Sequence, residues 1–197
     1  STGMASSEEI QEALETVKIN GCNSILLFHC ISSYPAPIDQ VNLKQIKNIK
    51  DKFKVEVGLS DHTLTNTCAI ASIPFGASAI EKHFTIDKSD NSPDSSFSIE
   101  PDEMKKLVKE TNDAWQAIGE ASFQRPNSET QNKLFRRSIY YVSNLRAGEL
   151  ISNKNIKRVR PSYGLPPKYY DEIIGMTLTE DVSVGDPVKW KHLKSKN

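Results

Sequence analysis

Two histidines end two successive strand-like runs of this sequence, in a pattern that suits metal binding. His62 stands in Ser60-Asp61-His62-Thr63, and His83 follows one βα unit later in Glu81-Lys82-His83-Phe84. Because parallel strands end at one rim of a sheet or barrel, we expect the two imidazoles to lie side by side. Paired imidazoles are candidate ligands for a divalent metal, and the acids that follow, up to Asp94, favour that interpretation. For each histidine alone, a hydrogen-bonded structural role is the alternative.

Small polar residues follow the predicted strands at three places, namely Ser1-Thr2-Gly3, Ser32-Ser33 and Ser60. Backbone N–H groups and hydroxyls in such loops can surround a phosphate. Serine is also an ordinary loop residue, so only the three loops together indicate an anionic ligand. Arg160 stands in a basic, proline-rich segment, which is interpreted either as an arm that reaches a bound substrate or as a solvated loop.

Hydrophobic periodicity predicts the element order α-β-α-β-α-β-α in the first part of the chain. Ser6-Ser7-Glu8-Glu9 has the spacing of a capping box and opens the first helix, which Asn20-Gly21 ends. Three further helices have apolar residues at helical spacing: 41–53, 63–75 and 101–119. Three strands are predicted between the helices: 24–30, 54–59 and 77–85. The first strand is apolar enough to be covered on both faces, and His29 within it is interpreted as a core residue.

This order is typical of right-handed parallel βαβ units, so the predicted fold class is α/β. Three units cannot close a barrel, because a (β/α)₈ TIM barrel needs about 250 residues. Residues 1–118 therefore form either part of an open sheet or the last part of a barrel. Residues 119–135 lack periodicity and are interpreted as a linker. Short β runs over 136–197 predict a small, mostly β second domain.

Composition argues against several classes of function. The 197 residues carry 25 Lys and Arg against 25 Asp and Glu, so no overall charge points to nucleic acid or to an anionic membrane surface. No apolar run approaches the roughly 20 residues needed to cross a bilayer. Cys22, Cys30 and Cys68 lack the spacing of a disulfide framework or a thiolate site, which favours a reducing cytoplasm. The chain opens at Ser1 without an initiating Met, and we interpret it as N-terminally truncated.

Longer motifs resemble the phosphoenolpyruvate-dependent sialic acid synthase family, and within it the pseudaminic acid synthases. The resemblance covers essentially the whole chain and rests on the following segments: Ser1-Thr2-Gly3-Met4-Ala5, Tyr34-Pro35-Ala36-Pro37, Gly58-Leu59-Ser60-Asp61-His62-Thr63, Glu81-Lys82-His83-Phe84-Thr85 and Ser98-Ile99-Glu100-Pro101. From Arg136 onward the chain resembles the antifreeze-like (SAF) domain of that family. The resemblance implies the C-terminal part of a TIM barrel joined to a SAF domain, in a domain-swapped homodimer whose small domain covers the partner's active site.

The resemblance also implies a reaction. Phosphoenolpyruvate condenses with the open-chain aldehyde of an N-acetylated amino sugar, and phosphate is released. His62 and His83 match the family's ligands for Mn²⁺ or Mg²⁺, and with Asp94 they are the expected catalytic residues. The metal would act as a Lewis acid on the aldehyde oxygen.

Further positions match the family's substrate contacts. Ser1, Ser32 and Ser60 match positions that contact phosphoenolpyruvate. Tyr34 and Asp94 match positions that face the sugar. Arg160 would reach the acyl group of the sugar from the partner subunit, and the basic surplus after residue 136 agrees with a lid over an anionic site.

Three alternatives stay open. The motifs favour the pseudaminic branch, which takes 2,4-diacetamido-2,4,6-trideoxy-β-L-altropyranose, whereas an N-acetylneuraminic acid synthase using N-acetylmannosamine is the second reading. Asn91-Ser92 and Ser162 stand where the family commonly has glycine, which weakens the choice of sugar. A non-catalytic carbohydrate-binding or interaction module is the alternative from another class. The family's Lys, Gln and Glu residues at phosphoenolpyruvate would lie on absent strands, so the chain alone is expected to be inactive.

Overall fold

The computed structural model describes residues 1–90 and 92–194, so Asn91 and the end of the predicted second domain, 195–197, lie outside the described residues. The chain divides into two compact units, Ser1–Glu120 and a second one from Ala121 onward. Each unit has its own apolar core. Across the described ranges, no helix combines the length and the apolar character needed to span a membrane.

Helices and strands alternate through the first unit, as the sequence predicts. They are α1 (Ser7–Ile19), β1 (Leu26–Cys30), α2 (Lys44–Phe53), β2 (Glu56–Asp61), α3 (Thr67–Ser72), β3 (Ile80–Lys82) and α4 (Pro101–Ile118). The strands form one parallel sheet in the order β1-β2-β3. The predicted capping box is present at α1, because the Ser6 hydroxyl accepts from Glu9 N–H and the Glu9 carboxylate accepts from Ser6 N–H.

Alternation along the strands gives the sheet a helix face, which carries Leu27, Val57 and Leu59. These side chains pack with Ile46 and Ile49 of α2. All of them are buried except Leu27, which is partly exposed. His29 points the same way by its position in β1, and its Nε2 donates to the Val41 carbonyl at 2.7 Å. It is a buried core residue, as interpreted from the sequence.

The opposite face, which we call the site face, carries Phe28, Gly58 and Ser60. A Cβ atom at Gly58 would lie 2.7 Å from both the Phe28 ring and the Ala79 carbonyl oxygen, so only glycine fits there. The expectation that β1 is covered on both faces is met only toward the end of the strand. Leu26 remains 41% exposed, whereas Cys30 on the same face is buried against the Ser1–Gly3 segment.

Several element boundaries differ from the predicted ones, and for α2 and α3 a local reason is visible. Helix α2 begins at Lys44 because Asn42 has a left-handed backbone, with φ of 47°. Helix α3 begins only at Thr67, since the preceding loop turns its carbonyl groups toward the Lys82 ammonium. Strand β3 covers only Ile80–Lys82, the three residues that pair with β2.

The second unit is mostly β, as predicted. It contains β4 (Ser138–Tyr141) paired antiparallel with β5 (Ile156–Val159), the one-turn helix α5 (Tyr170–Ile173), and β6 (Thr177–Leu178) paired antiparallel with β7 (Leu193–Lys194). Its core is built on fully buried aliphatic side chains: Ile139, Ile151, Ile156, Ile173 and Val188. Gly148 and Gly185 adopt positive φ, at 90° and 92°, which glycine does without strain.

Two polar side chains are buried beside this core. Tyr141 and His192 pack with ring centroids 6.1 Å apart, and neither the Tyr141 hydroxyl nor His192 Nδ1 has a hydrogen-bond partner among the described residues. Burial lowers the pKa of His192, and the nearby Glu180 carboxylate opposes only part of that shift. Burial also raises the pKa of the Tyr141 phenol. Both groups are therefore held in their neutral forms.

His192 makes the stability of the second unit depend on pH. Above the ordinary imidazole pKa of about 6.5, folded and unfolded chains are both neutral at this residue. As the pH falls below that value, the unfolded chain takes up a proton before the folded one, so the free energy of unfolding decreases. We expect His192→Phe to lose less stability than the wild type between about pH 7.5 and pH 5 in urea unfolding experiments. Equal losses in the two proteins would contradict this assignment.

Candidate active site

His62 directly follows β2, and both nitrogens of its ring are within hydrogen-bond distance of a partner. Nδ1 lies 2.8 Å from the carbonyl oxygen of Ile31. A carbonyl can only accept, so in the neutral ring Nδ1 carries the proton and Nε2 carries a lone pair. The Ser60 hydroxyl lies 3.2 Å from Nε2 and donates to it. His62 is therefore set in the tautomer that can bind a metal through Nε2.

His83 directly follows β3 and lies beside His62, with ring centroids 5.3 Å apart. Its Nδ1 is 3.4 Å from Oδ2 of Asp94, and its carbonyl accepts from Ile99 N–H at 2.8 Å. A carboxylate on one nitrogen of an imidazole is a common arrangement around metal ligands. The structure thus brings together the three residues that the sequence nominates as catalytic.

Two aromatic rings enclose the histidine pair. Tyr34, in the loop after β1, has its ring centroid 4.3 Å from that of His62 and 5.6 Å from that of His83. Phe97 lies 5.0 Å from His83 and 5.6 Å from Tyr34 by the same measure. Tyr34 is among the site residues predicted from the sequence, whereas Phe97 is not, although it directly precedes Ser98 of a family motif.

A tight loop explains how Asp94 and Phe97 reach the same imidazole. The carbonyl oxygen of Asp94 accepts from the N–H groups of Phe97 and Ser98, at 3.3 and 3.1 Å, and from the Ser98 hydroxyl at 2.8 Å. Because the backbone closes on itself in this way, the Asp94 carboxylate and the Phe97 ring both face His83. The Asp94 side chain stays 59% exposed and can therefore contact a ligand as well.

The serines nominated for phosphate binding lie at the same end of the sheet. The Ser1 hydroxyl is 3.0 Å from the sulfur of Cys30, whose register partner on β2 is Ser60. Gly3 lies against the Ser32 side chain so closely that an added Cβ atom would overlap with its hydroxyl oxygen. Thr2 N–H donates to the Phe28 carbonyl at 2.8 Å, which fixes this N-terminal segment beside β1.

Behind the site lies a buried ion pair that was not predicted from the sequence. Lys82 Nζ is 2.9 Å from Asp61 Oδ2, and the two side chains are 1% and 0% exposed. Cys68 is a neighbour of this pair. Burial raises the pKa of the Cys68 thiol and the Asp61 charge adds to the shift, so that cysteine stays protonated.

The donor set fits a divalent metal only in part. His62 offers the Nε2 lone pair that now accepts from Ser60, and His83 lies next to it, so with oxygen atoms as the other ligands the two residues could hold a divalent ion such as Mn²⁺. Over residues 1–90 and 92–194, no group of three or more His, Cys, Asp or Glu side chains is placed to hold a metal ion. If two imidazoles bind the ion, its other coordination positions are left to water, to a substrate or to other protein oxygen atoms.

Arg160 belongs to the second unit, where it follows β5 directly and is exposed. The neighbouring Ser162 is held by two hydrogen bonds within the same unit, from its N–H to Leu134 O and from its hydroxyl to Lys133 O. The serine that replaces a common glycine therefore ties the Arg160 segment to residues 131–135. The role of Arg160 toward a ligand stays a prediction.

The hydrogen bonds of His62 and His29 predict opposite tautomers within one chain. His62 should carry its proton on Nδ1, and His29 on Nε2, because each of these nitrogens faces a backbone carbonyl. Long-range ¹H–¹⁵N correlation spectra of the ring nitrogens at alkaline pH test both assignments at once. The same tautomer at both positions would contradict the geometry of the site.

Several known proteins are similar to this chain in sequence. The chain is 40% identical over 189 residues to a pseudaminic acid synthase of Campylobacter jejuni, which covers 96% of this chain and 55% of that protein. It is 39% identical over 184 residues to an N,N'-diacetyllegionaminic acid synthase of the same species, with 92% and 55% covered. The chain thus spans about half the length of these curated relatives.

A solved structure agrees with these relatives. The N-acetylneuraminic acid synthetase of Leptospira borgpetersenii in complex with citrate is 34% identical, with a TM-score of 0.60 over 66% of this chain and 45% of that one. A family model described as the SAF domain matches residues 136–194. These findings confirm the predicted α/β class with a SAF domain. A second model, described as the NeuB family, matches residues 1–123, which carry the whole sheet and both histidines, and the chain therefore belongs to the NeuB family.

Proposed function

We propose that the complete protein is a nonulosonic acid synthase, a transferase that forms a carbon–carbon bond between phosphoenolpyruvate and an N-acetylated amino sugar. The observation that carries this proposal is the cluster of His62, His83, Asp94 and Tyr34 at the strand ends, in a chain of the NeuB family. The product is a nine-carbon 2-keto acid, and inorganic phosphate leaves. The 197 residues alone are proposed to lack this activity.

The histidines would hold a Mn²⁺ or Mg²⁺ ion, which acts as a Lewis acid on the aldehyde oxygen of the sugar. His62 would bind through Nε2, because its proton is committed to the Ile31 carbonyl. Ser60 currently donates to that same nitrogen. A cation there would leave the Ser60 hydroxyl free to donate to a phosphoenolpyruvate oxygen, together with Ser1 and Ser32.

Asp94 would orient the sugar from the other side of the cluster. Its carboxylate is near His83 Nδ1 and still largely exposed, so it can accept a hydrogen bond from a sugar hydroxyl or amide while it faces the imidazole. Tyr34, 53% exposed, offers a ring and a hydroxyl at the same place.

The proposed sugar is 2,4-diacetamido-2,4,6-trideoxy-β-L-altropyranose. The 40% identity to a pseudaminic acid synthase supports it, and the Phe97 ring supplies an apolar wall that suits a 6-deoxy sugar. An apolar wall discriminates weakly against an added hydroxyl, by about 10²-fold. N-acetylmannosamine and the sugar that gives N,N'-diacetyllegionaminic acid are therefore the competing substrates, the latter favoured by the 39% identical relative.

The proposal extends to the assembly. A homodimer in which the basic second domain covers the partner's site would bring Arg160 to the acyl group of the sugar. The three free cysteines, of which Cys30 and Cys68 are buried, support a reducing compartment such as the cytoplasm.

Metal binding tests the histidine pair directly. In the complete encoded polypeptide, His62→Ala combined with His83→Ala should weaken Mn²⁺ binding by roughly 100-fold or more, because both imidazole ligands are lost. Isothermal titration calorimetry measures the affinity, and His192→Phe in the second unit is the matched control with unchanged binding. Unaltered Mn²⁺ affinity in the double variant would contradict the proposed ligand pair.

Phosphate release tests the reaction and the sugar. The complete polypeptide, given phosphoenolpyruvate and Mn²⁺, should release phosphate with the altropyranose substrate, and the 197-residue chain alone should not. Release with N-acetylmannosamine only would make it an N-acetylneuraminic acid synthase, and release with the legionaminic precursor only would assign that branch. Release with none of the sugars would favour a non-catalytic carbohydrate-binding or interaction module.

A further inference from the structure

We infer that the buried pair of Lys82 and Asp61 is a positioning device for the two metal-binding histidines. The inference rests on the proposed function, because it assumes that His62 and His83 share one cation. The polar contacts of the two side chains among the described residues are with each other and with Thr63 and Thr65. Both act from the helix face of the sheet, one residue before each histidine.

All three hydrogens of the Lys82 ammonium have acceptors. Nζ is 2.9 Å from Asp61 Oδ2, 2.6 Å from the Thr63 carbonyl and 3.2 Å from the Thr65 carbonyl. The other carboxylate oxygen of Asp61 accepts from Thr63 N–H at 2.9 Å. The network therefore ties the end of β3 to the loop that leaves His62, with no free donor on the ammonium.

The pair sets the spacing of the histidines through the sheet. Asp61 and Lys82 are direct register partners at the last paired position of β2 and β3. Because side chains alternate along a strand, a link on the helix face leaves the next residues, His62 and His83, free to face the site. Their ring centroids lie 5.3 Å apart just beyond this link.

Stability alone does not account for a buried ion pair. Removing two charges from water offsets most of their mutual attraction, and apolar replacements of similar volume are often neutral or stabilising. What an apolar pair could not do is gather two loop carbonyls at one point. A role of Lys82 as a nucleophile or proton donor does not fit either, because its side chain is 1% exposed and its ammonium is fully used.

The test uses the complete polypeptide with Lys82→Met, and with Asp61→Asn combined with Lys82→Met. Both variants should bind Mn²⁺ about 10- to 100-fold more weakly than the wild type, as is usual when the support of a metal ligand is lost. The double variant carries no unpaired buried charge, so its Tm should lie closer to the wild-type value than that of Lys82→Met. The visible spectrum of bound Co²⁺ should change in both.

Lys47→Met is the matched control. Lys47 forms an exposed ion pair with Asp51 at 2.6 Å, on α2, and its loss should leave the affinity for Mn²⁺ and the Co²⁺ spectrum unchanged. If Lys82→Met and the double variant fail to fold, Lys82→Arg decides. Its planar guanidinium keeps the charge but cannot meet the same three acceptors, so weaker Mn²⁺ binding is again expected.

The result that would overturn the inference is a folded double variant, or a folded Lys82→Arg, with wild-type Mn²⁺ affinity and an unchanged Co²⁺ spectrum. The pair would then be structural only. Failure of the proposed function looks different. In that case the wild type binds no Mn²⁺, or it binds Mn²⁺ as well without His62 and His83 as with them.

Discussion

The parallel register of the three strands is the constraint on which the rest of the first unit depends. Strand β2 pairs with β1 on one side and with β3 on the other, so one alternation decides which side chains meet the helices and which meet a ligand. A slip by one residue would turn Leu59 toward the site and Ser60 into the core. The buried contacts of Val57 and Leu59 with Ile46 oppose that slip, and in doing so they fix the direction of His62.

Backbone carbonyls do most of the positioning at the strand ends. Ile31 O fixes the tautomer of His62, and Thr63 O and Thr65 O bind the Lys82 ammonium. These carbonyl groups lie in loops, where no helix or strand pairing supplies a donor. Side chains donate hydrogen bonds to them instead. His62 is thus held through Nδ1 by a backbone carbonyl, and its Nε2 faces the Ser60 hydroxyl.

The site has a buried part on a paired strand and an exposed part on loops. His62 and Ser60 are buried and sit on the paired end of β2, whereas Tyr34 and Asp94 come from loops and are more than half exposed. Side chains on paired strand ends are fixed by the sheet, whereas loop side chains can vary and still leave the fold intact, so the two parts of the site can change independently.

Local sequence determined the helices and strands and identified the candidate site residues. The capping box at Ser6, the start of α4 at Pro101 and the positions of His62 and His83 after strands all depend on residues close together in the chain, so periodicity and spacing could predict them. Only the tertiary structure decided that Phe97 packs on His83 and that Lys82 pairs with Asp61. It also decided where α3 begins, since the loop before it turns toward Lys82. Those contacts join residues far apart in sequence, and their energies exist only once the strands are paired.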